Sequence, residues 1–310
     1  MENMVEVFIN PFTDFGFKRI FGQEDTKCLL ISFLNALFEG ECVIKDLEYR
    51  DKEQIAQSRR DRCVIYDIYC TLADGRQLIV EMQNKKQMHF DERALYYASR
   101  SIDAQGRKGD RWVYGFCPVI GVYFMNFCEE NLGYAYRSDF GITNLMEVFS
   151  SERLRLMPFH ARRVPFANKL RMVFLQLPRF DKTEEECHTS IEKWMYLMKN
   201  MNTLTQLPWT DEDEVYAELA KVSNVAALSP EERIIYDENL RIYRDNLATN
   251  QASYEEGHEA GVKEGHEAGV KEGHEAGVKD IINAMRLNQV SDEDIAKLTG
   301  LTIDEVEALK

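Results

Sequence analysis

The sequence predicts an α/β layer architecture followed by a mostly helical C-terminal region. Three observations carry that prediction. Apolar residues recur at helical spacing between Phe17 and Phe38. Two runs rich in β-branched and aromatic residues, Val64–Leu72 and Gln77–Gln83, flank the turn signal Asp74-Gly75. A near-continuous apolar run over 119–126 then reads as a strand covered on both faces. Helix, hairpin, helix and strand in that order place helices against a sheet.

The first helix is expected from about Phe17 to Phe38 on the spacing of Phe17, Ile20, Phe21, Leu29, Leu30, Phe33, Leu34 and Leu37, with Gly22 and Asp25 as interruptions near its start. The hairpin follows, then a helix from Phe90 to Ala104 and the strand 119–126. Further strands are expected near 134–140 and 170–177. Residues 184–250 read as mostly helical, with Pro208 and Pro230 as breaks. An eight-residue unit, Glu-Gly-His-Glu-Ala-Gly-Val-Lys, then occurs three times without change over 256–279, with glycine at 257, 261, 265, 269, 273 and 277. The expected organisation is 1–180, 181–250, the repeat at 251–279 and a short punctuated segment at 280–310.

Composition bounds the function classes. Of 310 residues, 45% are hydrophobic and 29% charged, as in a globular protein. No apolar run approaches the roughly 20 residues of a membrane helix, and the acidic start Met1-Glu-Asn-Met-Val-Glu6 lacks the basic region of a secretory signal. The seven cysteines show no CxxC spacing, which reads as reduced cytoplasmic thiols. Net charge is −15, which on its face argues against nucleic acid. The charge is uneven, however. Residues 251–310 carry 14 acids against 6 bases, whereas 153–180 carry seven Lys/Arg and no acid. No GxxxxGK[ST] or GxGxxG stretch occurs, so no nucleotide-driven motor is expected.

Asp67 and Glu81 each stand in the middle of an otherwise apolar strand. The turn decides whether they meet. A two-residue turn pairs Ala73 with Arg76 and sends the two carboxylates to opposite faces. A three-residue loop, Ala73-Asp74-Gly75 with Gly75 left-handed, pairs Leu72 with Arg76 and sets Asp67 opposite Glu81, with Gln83 one step along the same face. The second register separates polar from apolar better, leaving Val64, Tyr66, Ile68, Cys70, Leu72, Leu78, Val80 and Met82 as one core face, and is preferred. Like charges in that position repel. A hard divalent cation such as Mg²⁺ relieves the repulsion; the bland alternative is a solvated polar sheet face.

The ordered set Asp14-Phe-Gly-Phe-Lys-Arg-Ile-Phe-Gly22, Phe33-Leu-Asn35, Tyr66-Asp67, Val80-Glu-Met-Gln83 and Arg93 with Tyr96-Tyr97 resembles the PD-(D/E)XK nuclease family transposases, close to the Rpn family of recombination-promoting nucleases. The resemblance covers roughly 8–180, and the later helical part and glycine tail also look like that family. It implies a restriction-endonuclease-like fold, αβββαβ, and Mg²⁺-dependent (or Mn²⁺-dependent) cleavage of DNA, linked to recombination or transposition. It implies Asp67 as the core aspartate, Glu81 as the first acid of E-x-K, and Gln83 in the lysine position, a departure from that pattern. Asp14 is either a further acid near the metal or the N-cap of the first helix. Arg93 and Tyr97, one helical turn apart, either face the scissile phosphate or pack on the helix surface. Lys85, with Lys86, is a candidate for the DNA backbone. His89 and Glu92 lie nearby and are given no role.

Six helical glycines cost about 1 kcal/mol each relative to alanine. Close packing of identical helices would offset that and predicts a homo-oligomer through 251–279; a flexible linker is the alternative. The final segment reads as short helices capped at Ser291 and Thr302 and separated by Gly300, helix-turn-helix-like but acidic, which favours packing or protein interaction over DNA reading.

Overall fold

The computed structural model describes residues 6–51, 53–54, 64–106, 115–141 and 169–309. Its contacts fall into two units, Met1–Asn246 and Leu247–Lys310.

The first unit is built on a six-stranded sheet of order β1-β4-β5-β6-β8-β7. The strands are β1 (Leu47–Tyr49), β4 (Ile68–Leu72), β5 (Gln77–Gln83), β6 (Val119–Met125), β7 (Arg137–Gly141) and β8 (Leu170–Gln176). Short β2 (Glu53–Gln54) and β3 (Val64–Ile65) pair separately. β1, β4 and β5 run antiparallel, whereas β5, β6 and β8 run parallel. Helix α3 (Phe90–Asp103) makes the crossover from β5 to β6 that a parallel pair requires. With α1 (Asp14–Phe21) and α2 (Lys27–Leu37) ahead of the sheet, the order is helices, three antiparallel strands, helix, strand.

Every residue of β5 and of β6 is buried, because helices cover both faces. On one face Leu78, Val80, Met82, Ile120, Val122 and Phe124 join Phe17, Phe21 and Phe33 of α1 and α2. Trp194 of α4 (Ser190–Asn200) and Leu219 of α5 (Glu214–Ser223) belong to the same core, so it runs across residue 180. Burial of a ring such as Phe124, fully enclosed and 4.9 Å from the Phe33 centroid, contributes about 1.5–3 kcal/mol. On the other face Ile79 packs with Ala98, and Tyr123 with Phe90 and Ala94, all three partners from α3. Gly121 is needed here: a Cβ would come within 2.7 Å of the Tyr123 ring.

Three expectations change in detail. The single helix 17–38 is two, since the chain leaves α1 at Gly22 and passes through a 3₁₀ turn at Glu24–Thr26 before α2. The strand 64–72 breaks at Tyr66 and Asp67, where the backbone bends. That bend turns Val64 and Tyr66 onto the α3 face with Tyr69 and Ile79, not onto the face of Ile68 where strict alternation puts them. Of the basic stretch 153–180, the positions through 168 lie outside the described residues. Arg171 is not a free surface cation, since it pairs with Glu41 and with Asp139 at 2.6 Å.

The second unit holds most of α6 (Pro230–Leu287), then α7 (Asp292–Thr299) and α8 (Ile303–Ala308). The repeat is helical, and the segment 281–287 completes the same helix. Ser291 caps α7, Gly300 ends it with φ +74°, and Thr302 forms a capping box with Glu305. Ile282, Ile295, Ala296 and Val306 make a small core of their own. Arg286 fastens it by donating to the Val306 carbonyl at 2.6 Å and to Asp292 at 2.9 Å. No described helix is long and apolar enough to cross a membrane.

Candidate active site

The turn between β4 and β5 sets the geometry. Gly75 takes φ +89°, a conformation that glycine adopts without strain. The amide of Gly75 donates to the Leu72 carbonyl at 2.8 Å, and the amide of Leu72 donates to the Arg76 carbonyl at 2.8 Å. This is the three-residue loop. Ile68 faces Val80 in the resulting register, so Asp67 lies across from Glu81 one step beyond the paired stretch.

At that step side chains replace the ladder. The Asp67 amide donates to Glu81 Oε1 at 3.3 Å, and the Met82 amide donates to Asp67 Oδ2 at 2.8 Å. Gln83 Nε2 donates to Glu81 Oε2 at 3.2 Å. Each carboxylate therefore satisfies a backbone amide of the opposite strand, which fixes both side chains at the bend. Glu81 is 3% exposed and Gln83 8% exposed. Burial pushes the Glu81 carboxyl well above the usual carboxylate range, and the charge of Asp67 pushes it further in the same direction.

Among the described residues, a cation on the helix acts on these charges. Arg93 of α3 is half-buried, and its charge draws the Glu81 carboxyl back down. Its guanidinium donates to Gln87 Oε1 and, at 3.2 Å, to the Tyr97 hydroxyl, and stacks 5.1 Å from the centre of the Tyr97 ring. Tyr97 is held in turn, because its carbonyl accepts from the Tyr66 hydroxyl at 3.0 Å and the two rings meet edge to face. The bend that turns Tyr66 toward α3 thus couples the Asp67 backbone to the Arg93–Tyr97 pair.

The structure gathers Asp67, Glu81, Gln83, Arg93 and Tyr97 around one end of β5. It leaves the other expected residues apart. Asp14 is exposed at the start of α1 and pairs with Lys18 at 2.6 Å, while Thr13, not Asp14, caps the helix by accepting from the Gly16 amide. Among the described residues no group of three His, Cys, Asp or Glu converges as a metal cage. Lys85 is exposed just past β5, and Lys86 pairs with Glu129 at 3.2 Å. His89 sits at the N-terminus of α3 with φ +58° and contacts Glu92 at 3.1 Å, outside the site.

Two residues of the site carry no sequence signal. Gln87 orients Arg93 from a loop of ordinary polar composition. Asn84 Nδ2 donates to the Phe12 carbonyl at 2.6 Å, tying the end of β5 to the entry of α1, and its buried Oδ1 has no hydrogen-bond partner among the described residues.

The site thus sets the buried carboxyl of Glu81 against the half-buried carboxylate of Asp67, with the Arg93 guanidinium on the neighbouring helix. The family model of PD-(D/E)XK nuclease family transposases matches residues 11–253. The chain belongs to that family. The matched span takes in the entire sheet of this family member and ends in α6, before the first repeat glycine at 257. No curated protein matches the chain, and no solved structure does.

Proposed function

We propose that this PD-(D/E)XK protein is a metal-dependent DNA endonuclease that acts in recombination or transposition, and that its core is the restriction-endonuclease-like fold, αβββαβ, of such enzymes. The observation that carries the reading is the opposition of Asp67 and Glu81 at the bend, with Glu81 buried. Ionised together, two carboxylates in that position repel; burial and this repulsion hold Glu81 protonated, and a bound cation would relieve the repulsion.

The donor set fits Mg²⁺, with Mn²⁺ as a substitute. Both ligands are hard carboxylate oxygens, and two protein carboxylates with water and phosphate completing the sphere is the usual arrangement for Mg²⁺. When bound, the ion would supply an activated water and charge stabilisation at phosphorus. Asp67 and Glu81 hold the ion in this reading, and Gln83 fixes the Glu81 carboxylate and hydrogen-bonds water. Arg93 and Tyr97 receive the phosphodiester, and Lys85 meets the backbone further along. Asp14 would add a further carboxylate to the ion by giving up its exposed pairing with Lys18. The repeat 251–279 joins copies of the chain into a homo-oligomer; its glycines face open space along an exposed helix. That same feature supports the second reading, a nuclease-fold protein without catalysis that works as an oligomeric interaction module.

Supercoiled plasmid with Mg²⁺, Mn²⁺ or Ca²⁺ separates the two. The control is Asp67→Asn, which keeps an acceptor for the Met82 amide while removing the charge. Nicking with Mg²⁺ that the control loses is the expected result. Absence of nicking with every metal, or equal nicking by the control, would leave the interaction module as the better reading.

A further inference from the structure

We propose that Arg93 supplies the positive charge that an E-x-K site takes from its lysine, and that it does so on the non-bridging oxygen of the scissile phosphate. The inference rests on the nuclease reading and deepens it.

Gln83 stands at the lysine position and brings no charge. Its amide is committed to Glu81 Oε2 at 3.2 Å. The site nevertheless contains a cation, contributed by a different element. Arg93 comes from α3, is half-buried, and is held against Tyr97, whose carbonyl accepts from the hydroxyl of Tyr66, the residue next to Asp67. Its hydrogen-bond partners are the neutral oxygens of Gln87 and Tyr97, and no carboxylate closes on it among the described residues. Arg19, Arg137 and Arg171, also half-buried, are each neutralised, by Glu232, by Asp139 at 2.8 Å and by Glu41 with Asp139, whereas Arg179 resembles Arg93 in having a neutral acceptor, Gln176, and a ring, Tyr134, but lies at the end of β8. A guanidinium held in place by an aromatic ring and two neutral acceptors keeps N–H donors and its full charge for an anion. The Tyr66–Tyr97 contact fixes its position against the Asp67 bend. Phosphate is the anion that fits, because the planar fork of arginine matches two phosphate oxygens.

In hydrolysis, water oxygen bonds to phosphorus and the bond from phosphorus to a deoxyribose oxygen breaks. The attacking water gives its proton to solvent, and the leaving oxygen takes one from solvent, yielding a phosphomonoester and a hydroxyl. Negative charge on the non-bridging oxygens grows on the way, and a fixed cation there stabilises that state more than the ground state.

The test is a swap measured as kcat and KM for plasmid nicking. Arg93→Gln should lower kcat on the order of 100- to 1000-fold with little change in KM. Gln83→Lys placed in that background should recover at least about tenfold by restoring the ordinary E-x-K cation. Arg93→Lys, which keeps the charge but loses the planar fork and the stack, should fall between wild type and Arg93→Gln, at least about tenfold faster than the latter. Circular dichroism and melting curves establish that each variant is folded. A double variant no faster than Arg93→Gln, or Arg93→Lys falling to the Arg93→Gln level, would overturn the inference while leaving the nuclease reading intact. Absence of cleavage by the wild-type protein would overturn both.

Discussion

Strand β5 and the repeat segment of α6 both break the ordinary rules of their own secondary structure, and they differ in where the cost is met. In β5 three polar side chains, Gln77, Glu81 and Gln83, are buried in a strand that is otherwise apolar. Partners from the same chain answer them: the Asp67 amide donates to Glu81, Gln83 donates to Glu81, Gln77 is held by Thr71 and the Gly75 carbonyl, and the charge of Arg93 from α3 acts on Glu81. In the repeat, six glycines occupy a helix interior, and a Cβ at any of them would meet nothing within 4 Å. Nothing described within the chain offsets the backbone entropy those glycines cost. A violation met by the chain's own partners marks a site. One left unmet marks a surface whose stabilisation comes from elsewhere.

The largest expected effect separates chemistry from stability within β5. Glu81→Gln keeps shape and hydrogen-bonding capacity but removes the charge. Cleavage should fall by at least about 100-fold, as for loss of a group acting directly in the reaction, while the melting temperature holds or rises. A variant that melts markedly earlier would make Glu81 a structural residue and dissolve the contrast with the repeat.

The opposite face of the sheet should respond the other way round. Phe124→Ala removes a ring enclosed by Phe17, Phe21 and Phe33 and should cost about 3–5 kcal/mol in denaturant unfolding. Activity of the protein that remains folded should be close to wild type.

Acidity sharpens the same point. The Glu81 carboxyl is held above its ordinary value of 4.5 in the folded protein. As pH rises, the unfolded chain therefore releases this proton first, and unfolding gains relative to folding. The contribution is fully present below 4.5 and is lost as pH climbs from there toward the raised folded value. Chemical denaturation of metal-free protein across that range should show declining stability. Glu81→Gln should flatten the decline, and saturating Mg²⁺ should do the same for the wild type.

In the repeat, Gly265→Ala together with Gly269→Ala should slow amide exchange across 251–279 by about 1 kcal/mol per substitution if the helix stands alone. Faster exchange in the variant, accompanied by smaller particles in light scattering, would mean that the glycines already meet another copy. The smallest effect belongs to Lys85. Lys85→Ala should weaken DNA binding uniformly across sequences and reduce the salt slope by about one.

Much of the site was legible because its determinants are local. Glycine in a three-residue loop dictates the register, the register sets Asp67 across from Glu81, and period-two alternation places Gln83 beside it. The capping boxes and Gly300 of the last segment were legible for the same reason. The face of Tyr66 was not, because the bend at Asp67 arises only when its carboxylate takes the Met82 amide from the neighbouring strand. The capping of α1 by Thr13, one position ahead of Asp14, depends on the backbone path through Asn10, whose side chain accepts from the Phe12 amide and whose carbonyl accepts from the Thr13 amide and hydroxyl. Asn84 and Gln87 are commonplace polar residues until distant elements are brought to them.

By itself the sequence determined the α/β order, the hairpin register, the pair of carboxylates and the helical repeat, since each follows from short-range periodicity, turn chemistry and side-chain type. Tertiary structure alone decided that Glu81 is buried, that Gln87 and Tyr97 hold Arg93 on α3, that Asp14 and Arg171 are committed to other partners, and that the repeat glycines face open space. Burial, charge compensation and packing are sums over residues far apart in the chain, and they acquire values only once the layers have closed on one another.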